Sequence, residues 1–495
     1  MANLELSPHC PEIKGVQDEC AVVGVFSTIS KPVAEIALEG LIELNHRGQE
    51  SSGIAIVGEN GIQVVKDSGL AEIVFKIKHN LPDTPGASVA VGHDRYSTSG
   101  SLSDMQPFSD GNIAFAHNGN LTNIKQLKAR FNLPDEIDGA KSDTRMALAV
   151  INSLRGTEKE RILQTLPLFE GSYCFVFGTK DSLYASRDPR GFKPLVIGKI
   201  KDDGYVVASE TAALRSMGAS FLREVEAGET IQIDKYGLKT IAFAGKNEKL
   251  SRCIFELVYF SRPDSVVFGI PVMEFRKRQG EILARHLPDV DVVSSVPRSG
   301  IGAALGVVTA EIARISRITP IPVEAFYPNP YRNVAENGPR TFILPNGRDK
   351  AATQKYSVIE TSVKGKRILL VDDSIVRGSM RRIVQILRSH GAIEVHALIA
   401  SPSLRNSCYY GADFGDGELL AHEIPDLEER RRYLGLDSLY HLSYAELLEA
   451  VLGNPVENVA ESFEKNGFCG ACFTGKYPTS TGGEINKKEV QICEK

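Results

Sequence analysis

No apolar run in the chain approaches the roughly 18 residues needed to cross a bilayer, which argues against a helical membrane span. Positive charge is not in excess either: 57 Lys and Arg face 62 Asp and Glu, for a formal net charge of −5. The broad basic face typical of nucleic-acid binders is therefore not expected. Any phosphate chemistry must come from locally placed backbone amides and a few basic side chains. Cysteine is sparse, with eight in 495 residues, too few for a disulfide framework. Cysteines that cluster here read instead as metal ligands or nucleophiles. Residues 1–19 contain His9, Glu12, Lys14 and Asp18 and no apolar core, which excludes a secretory signal. They are also too acidic for a typical organelle transit peptide, so the cytoplasm is the expected location. Internal repeats and low-complexity tracts are absent.

What is present is the composition of a globular protein, 42% hydrophobic and 24% charged, in a chain long enough for two or three domains. Residues 20–245 read as short strands and turns with interspersed helices, punctuated by glycine and aspartate. Ala21–Phe26, Ile113–Ala116 and Ser172–Gly178 are strand candidates, and Lys246–Arg252 is a polar linker. From about residue 270 strands and helices alternate, which implies a parallel sheet. Asp291–Val296, Arg367–Val371 and Val395–Ala400 are its strands, and Gly302–Ser316 is an apolar helix. Met380, Ile383, Val384 and Leu387 make an i, i+3, i+4, i+7 stripe that ends at Gly391. Ser443–Glu446 is a capping box.

Several segments carry unusual chemistry. Cys20 stands before the first strand, and is followed by His46-Arg47-Gly48-Gln49-Glu50, Gly92–Thr98, Ala116–Asn120 and Ser142-Asp143-Thr144. Amide hydrolysis needs a nucleophile, a proton carrier, an oxyanion hole and a grip on the substrate's charged ends. A cysteine at a mature N-terminus supplies the first two, its α-amine acting as base. Asn118 and the Gly119 amide suit an oxyanion hole, where a donor is worth about 3 kcal/mol. Arg95 can fork onto a carboxylate and Asp143 can hold an ammonium. His46 and His117 could be read as acid–base groups, but a satisfied structural histidine is the commoner case.

Val371-Asp372-Asp373-Ser374-Ile375-Val376-Arg377-Gly378-Ser379 closes a buried strand and opens a helix. Open α/β sheets bind ligands at that position, and the loop offers amides, a hydroxyl and a helix N-terminus to a phosphate. Cys469-Gly470-Ala471-Cys472 is a chelating pair that fits either a metal or redox chemistry. Cys253 and Cys408 lie far from it in sequence. Cys174 reads as a core cysteine, and Cys10 and Cys493 lie in terminal segments.

From Cys20 to Tyr477 these motifs together resemble the glutamine phosphoribosylpyrophosphate amidotransferase family. The resemblance implies an α/β and α+β architecture. A four-layer αββα N-terminal-nucleophile glutaminase domain (20–245) would be followed by a type I phosphoribosyltransferase domain with a parallel sheet (253–455). Residues 1–19 would be a propeptide, and 456–495 a tail carrying the paired cysteines. Cys20, Asn118 and Gly119 would be catalytic, with Arg95, Thr98 and Asp143 binding glutamine. Asp372, Asp373, Ser374, Arg377, Gly378 and Ser379 would bind phosphoribosylpyrophosphate, with Mg²⁺ near Ser299, Asp372 and Asp373. Cys253, Cys408, Cys469 and Cys472 would hold a 4Fe-4S cluster, although four thiolates also suit zinc. A homotetramer inhibited by nucleotides is the implied assembly.

The chain departs from the family at three points. Gly378-Ser379-Met380 replaces Gly-Thr-Thr, Arg298 stands where an acidic residue is usual, and the mobile loop between Asn329 and Ile343 is expanded and altered. Two other readings stay open on these grounds. One is an amidotransferase acting on a different phosphosugar; the other is a non-catalytic iron–sulfur regulatory protein.

Overall fold

The apolar stretch after Cys20 forms strand β1 (Ala21–Ser27), buried at every position because strands flank it on both edges and apolar layers cover both of its faces. The computed structural model describes residues 20–27, 32–59, 61–82, 86–96, 102–201, 204–245, 248–296, 299–315, 325–328, 356–412, 419–456 and 462–479. The first part of the chain builds two antiparallel sheets. One uses β1, β2 (Ser51–Gly58), β3 (Gly61–Ser68), β4 (Val89–Arg95), β9 (Val196–Ile200), β10 (Gly204–Ala208) and β11 (Ala219–Glu224), in the order β11-β9-β10-β1-β4-β2-β3. The other uses β5 (Phe108–Ser109), β6 (Ala114–Leu121), β7 (Gly171–Thr179), β8 (Ser182–Arg187), β12 (Glu229–Asp234) and β13 (Gly237–Phe243), in the order β13-β12-β8-β7-β6-β5.

Side chains alternate across each strand, so each sheet feeds two apolar layers. Val22, Val91, Ala116, Val176 and Ile231 fill the space between the sheets. Val23, Val25 and Ile54 face the other way, onto the helix Val33–Leu44. Phe115, Phe175 and Phe177 face the helix Asp143–Asn152. The result is the expected αββα stack.

Two short antiparallel pairs follow, β15 (Val266–Val267) with β16 (Ile270–Pro271) and, later, β18 (Phe326–Pro328) with β19 (Tyr356–Val358). A four-stranded parallel sheet runs β17 (Val292–Ser295), β20 (Arg367–Asp372), β21 (Glu394–Ile399), β22 (Ser438–His441). Helices Val272–Leu283, Ile301–Ile315 and Tyr444–Leu452 cover one face, and Met380–Ser389 and Leu427–Leu434 cover the other. The Met380–Leu387 stripe is buried, as its spacing requires, and the Ser443–Glu446 capping box is formed. The linker reading of Lys246–Arg252 fails at its end. Arg252 and Cys253 form β14, which pairs in parallel with β23 (Phe468–Cys469). Among the described residues no helix is long and apolar enough to cross a membrane.

Candidate functional site

Register places the first group. Ala21 of β1 opposes Asp94 of β4, so the next positions, Cys20 and Arg95, lie side by side at the strand ends. The Cys20 carbonyl accepts a hydrogen bond from Arg47 Nε at 3.3 Å. Arg47 is fully buried between two carboxylates, with Nη1 at 2.6 Å from Glu210 Oε1 and Nη2 at 2.7 Å from Glu256 Oε1. Burial alone would pull the Arg47 pKa down, but Glu256 and Glu210 together hold it above the ordinary arginine value. Glu210 is held below the carboxylate range despite its burial, by His46 (2.8 Å) and Arg47. His46 is thus a structural partner, as expected of it.

The second group sits on β6. Asn118 Nδ2 is buried without a hydrogen-bond partner among the described residues, a donor pair left for a ligand. Gly119 has φ +145°, and a Cβ there would lie 2.1 Å from the Ser172 carbonyl oxygen, so only glycine fits. Asp143, just after the capping residue Ser142, accepts from the Leu121 amide at 2.9 Å and lies 3.5 Å from His117 Nδ1. Burial works to raise the Asp143 pKa, but His117 and these hydrogen bonds leave it below the ordinary carboxylate value. Asp143 is therefore held as an anion against His117 and Leu121, on either side of the Asn118–Asn120 stretch in sequence. His93 Nε2 bonds the His117 carbonyl at 3.2 Å, and this tie joins the strand bearing Arg95 to the strand bearing Asn118. Gln106 reinforces it, accepting from the His117 amide at 2.7 Å and donating to Thr144 Oγ1 at 3.2 Å. Gln106, Glu210 and Glu256 are supports with no short-range signal, and His93, although inside the noted segment Gly92–Thr98, shows its partner only in the fold. Arg47 lies in a segment noted for its composition, but its partners are remote in sequence.

The third group lies at the end of β20. Asp372 is pushed well above the carboxylate range by burial and by the neighbouring Asp373 carboxylate, and Ser299 hydrogen-bonds to it. Asp373 Oδ2 accepts from Ser374 Oγ at 2.6 Å. Arg377 is buried in the loop, Gly378 turns it at φ +87°, and Ser379 leads into the helix without capping it. Met380 points into the core, so the departure from the family pattern fills apolar space. Two adjacent carboxylates beside a hydroxyl form a donor set that suits a hard divalent cation shared with a ligand's oxygens.

Burial and the charges of Asp373 and Asp372 hold the Tyr259 hydroxyl above its ordinary pKa, with Tyr96 adding to the effect. Tyr96 directly follows Arg95. Arg276 anchors the turn that carries Tyr259, donating to the carbonyls of Leu257 (3.0 Å), Tyr259 (3.1 Å) and Ser261 (2.8 Å).

The four cysteines also gather. Cys253 and Cys469 are register partners on β14 and β23. Cys472 senses Cys253, Cys408 and Cys469 electrostatically, and burial raises its thiol pKa above the usual value. Burial likewise pushes Cys253 up to about 11, Lys193 opposing and Cys408 adding to the shift. Among the described residues no three Cys, His, Asp or Glu side chains already converge as a ready-made ion site. The cysteines are therefore grouped by proximity rather than by finished coordination geometry. Cys174 is a core cysteine on β7, as expected.

Thr98, Arg298, the loop 329–343, residues 1–19 and Cys493 lie outside the described residues.

The profile of a family described as a glutamine amidotransferase domain matches residues 93–216. An amidophosphoribosyltransferase of Bacillus subtilis is 39% identical over 481 residues, covering 94% of this chain and 96% of the relative. One from Archaeoglobus fulgidus is also 39% identical, over 94% of this chain and 99% of its own. Among solved structures, the allosteric regulatory enzyme of purine biosynthesis superposes with a TM-score of 0.83 at 37% identity, covering 95% of this chain and 99% of that one. The Bacillus subtilis glutamine phosphoribosylpyrophosphate amidotransferase in complex with ADP and GMP gives 0.81 at 36% identity, covering 95% and 100%.

Proposed function

Because the chain belongs to the amidophosphoribosyltransferase family, we propose that its two sites carry the two halves of one reaction. Glutamine is hydrolysed at Cys20, and the ammonia reacts with phosphoribosylpyrophosphate beside Asp372 and Asp373. The products are 5-phosphoribosylamine, pyrophosphate and glutamate, in the first step of purine synthesis.

The observation that supports this reading most is the Arg47 network: one guanidinium bonds both the Cys20 carbonyl and Glu256, in the turn that carries Tyr259, and the charges of Asp373 and Asp372 act on that tyrosine, which supports a short route between the two sites. Ammonia set free in water would be protonated, and a short enclosed path avoids that loss.

At the first site Arg95 receives the glutamine carboxylate, with Thr98 beside it, and the Asp143 anion receives the ammonium. The Cys20 thiolate attacks the side-chain amide after passing its proton to its own α-amine. That base exists once residues 1–19 are removed. Asn118 Nδ2 and the Gly119 amide hold the oxyanion. At the second site Asp372 and Asp373 bind the ribose hydroxyls, while the Ser374–Ser379 loop receives the 5-phosphate through its amides and hydroxyls, with Arg377 supplying charge. Ser299, Asp372 and Asp373 would hold Mg²⁺, which when bound neutralises charge on the leaving pyrophosphate.

Cys253, Cys408, Cys469 and Cys472 would hold a 4Fe-4S cluster as a structural staple. Four thiolates suit either zinc or an iron–sulfur cluster, and the family resemblance favours the cluster. Iron and labile sulfide in anaerobically purified protein would bear this out; stoichiometric zinc would overturn it. A tetramer in the cytoplasm, inhibited by purine nucleotides, completes the reading.

The deciding assay follows glutamate and pyrophosphate release together in the processed protein with Mg²⁺. Glutamate formation with phosphoribosylpyrophosphate left intact would refute the acceptor. A mature protein that begins at Met1 would refute the proposed base.

A further inference from the structure

The strand that carries Asn118 and Gly119 is not supported by its own domain alone. Asn120 Nδ2, on a side chain 7% exposed, donates to the carbonyl of Tyr409 at 2.9 Å, a residue 289 positions away. Tyr409 belongs to the turn Cys408–Gly411, which packs directly against this strand. A Cβ on Gly411 would lie 3.6 Å from the Gly119 carbonyl carbon and 3.3 Å from Lys193 Cε. The turn is fixed in turn by several ties. Tyr410 stacks on Phe192 with ring centroids 4.2 Å apart, and the Phe192 carbonyl accepts from the Cys253 amide at 2.9 Å. Tyr477 donates to the Ser407 carbonyl at 2.6 Å, and Cys408 Sγ accepts from the Tyr410 amide at 3.4 Å.

Gly119 sits between two backbone walls: the Ser172 carbonyl 2.1 Å from its absent Cβ on one side, and the Gly411 turn on the other. An oxyanion hole works only when its donors are held where charge will develop, and a displacement of about 1 Å is costly. Asn120 is the only link of the Asn118–Asn120 stretch that reaches across to the cysteine-bearing turn by a side-chain hydrogen bond among those described.

We propose that Asn120 is a positioning residue for glutamine hydrolysis: its amide pegs the Asn118–Gly119 donors to the Tyr409 carbonyl, so that the Cys408–Gly411 turn sets the geometry of the oxyanion hole. Asn120 touches no reacting atom in this account. It rests on the reading of Asn118 and Gly119 as the oxyanion hole of a glutaminase.

The test compares full-length wild type, Asn120→Ala and Asn120→Asp, the last keeping the shape while losing the donor. Each is assayed for phosphoribosylamine formation with glutamine and, separately, with ammonia. Both variants should lower kcat with glutamine about 10- to 100-fold, less than removal of a donor itself. KM for glutamine should change by less than about threefold, because Arg95 and Asp143 still hold the substrate. The ammonia reaction should stay at the wild-type rate and certify the fold. Unchanged kcat with glutamine in both variants would overturn the inference and leave the glutaminase reading intact. Equal loss of both activities would overturn it too, by showing a general structural role. A wild type inert toward glutamine would remove both.

Discussion

Arg47 and Glu256 are 209 residues apart and share two hydrogen bonds, of 3.0 and 2.7 Å, with neither side chain exposed. The same guanidinium holds Glu210 and the Cys20 carbonyl. One cation therefore joins Cys20, just before β1, to the turn that carries Tyr259. A buried pair of this kind contributes modestly when intact, because desolvation offsets attraction. Removing one partner is severe, because it strands the others.

Arg47→Ala leaves two buried carboxylates without their cation and should destabilise the fold by roughly 3–5 kcal/mol. Glu256→Gln keeps the shape and one acceptor and should cost less. Thermal unfolding of the three proteins at one pH checks this. A melting temperature for Arg47→Ala within a degree of wild type would show that the network contributes nothing.

The glycine at 119 makes a sharper prediction. Its φ of +145° and the 2.1 Å approach to the Ser172 carbonyl leave no room for a methyl group. Gly119→Ala must displace β6 from β7 and carry the backbone donor with it. Glutamine-dependent turnover should fall about 10²–10³-fold, as for a lost oxyanion donor, while ammonia-dependent turnover persists. Normal glutamine hydrolysis in that variant would remove Gly119 from the site.

Much of this arrangement is legible along the chain because its signals are local. The Met380–Leu387 stripe, the Ser443 capping box and the strand before His117 depend on neighbours within a few residues. The αββα stack rests on the resemblance rather than on local pattern. The supports are different in kind. Glu210 and Glu256 are single acids in unremarkable contexts, and only the packed fold shows that both meet Arg47. Arg252 looks like polar linker because a two-residue strand has no periodicity; its pairing with Phe468 is dictated by what folds beside it. The four cysteines could be named together from the family pattern. That their turn also buttresses Gly119 could not, since the contact runs through a backbone carbonyl and a glycine, which leave no side-chain signature.

The Asp372–Asp373 pair predicts a pH dependence for cation binding. Burial and the Asp373 charge raise the Asp372 pKa, so Asp372 retains a proton at pH values where a free carboxylate has lost it. A divalent cation must displace that proton, so Mg²⁺ should bind more tightly as pH rises and release protons on binding. Titration calorimetry in buffers of different ionisation enthalpy measures that release. Asp372→Asn should abolish both the proton release and the phosphoribosyl reaction while leaving glutamine hydrolysis in place. Pyrophosphate formation at the wild-type rate in that variant would contradict the assignment.

His93 predicts an acid sensitivity for the first site. It is fully buried, Nε2 must donate to the His117 carbonyl, and Nδ1 has no partner among the described residues. Burial, with the Arg95 charge adding to it, lowers its pKa from 6.5 to about 3. Above pH 6.5 the imidazole is neutral in both folded and unfolded chains, and its contribution is fully present. Between 6.5 and 3 the unfolded chain takes up a proton that the folded one refuses, so stability falls as pH falls, by about 1.4 kcal/mol per unit for this group. Other buried groups titrate in the same window, so the measurement is a comparison. His93→Gln keeps a side-chain N–H donor and does not titrate. Its melting temperature should decline less steeply than that of wild type between pH 6.5 and 4, and parallel declines would show that His93 does not govern this sensitivity. Because the His93 bond joins β4 to β6, glutamine hydrolysis should be lost with stability on the acid side, ahead of any change in the parallel-sheet domain.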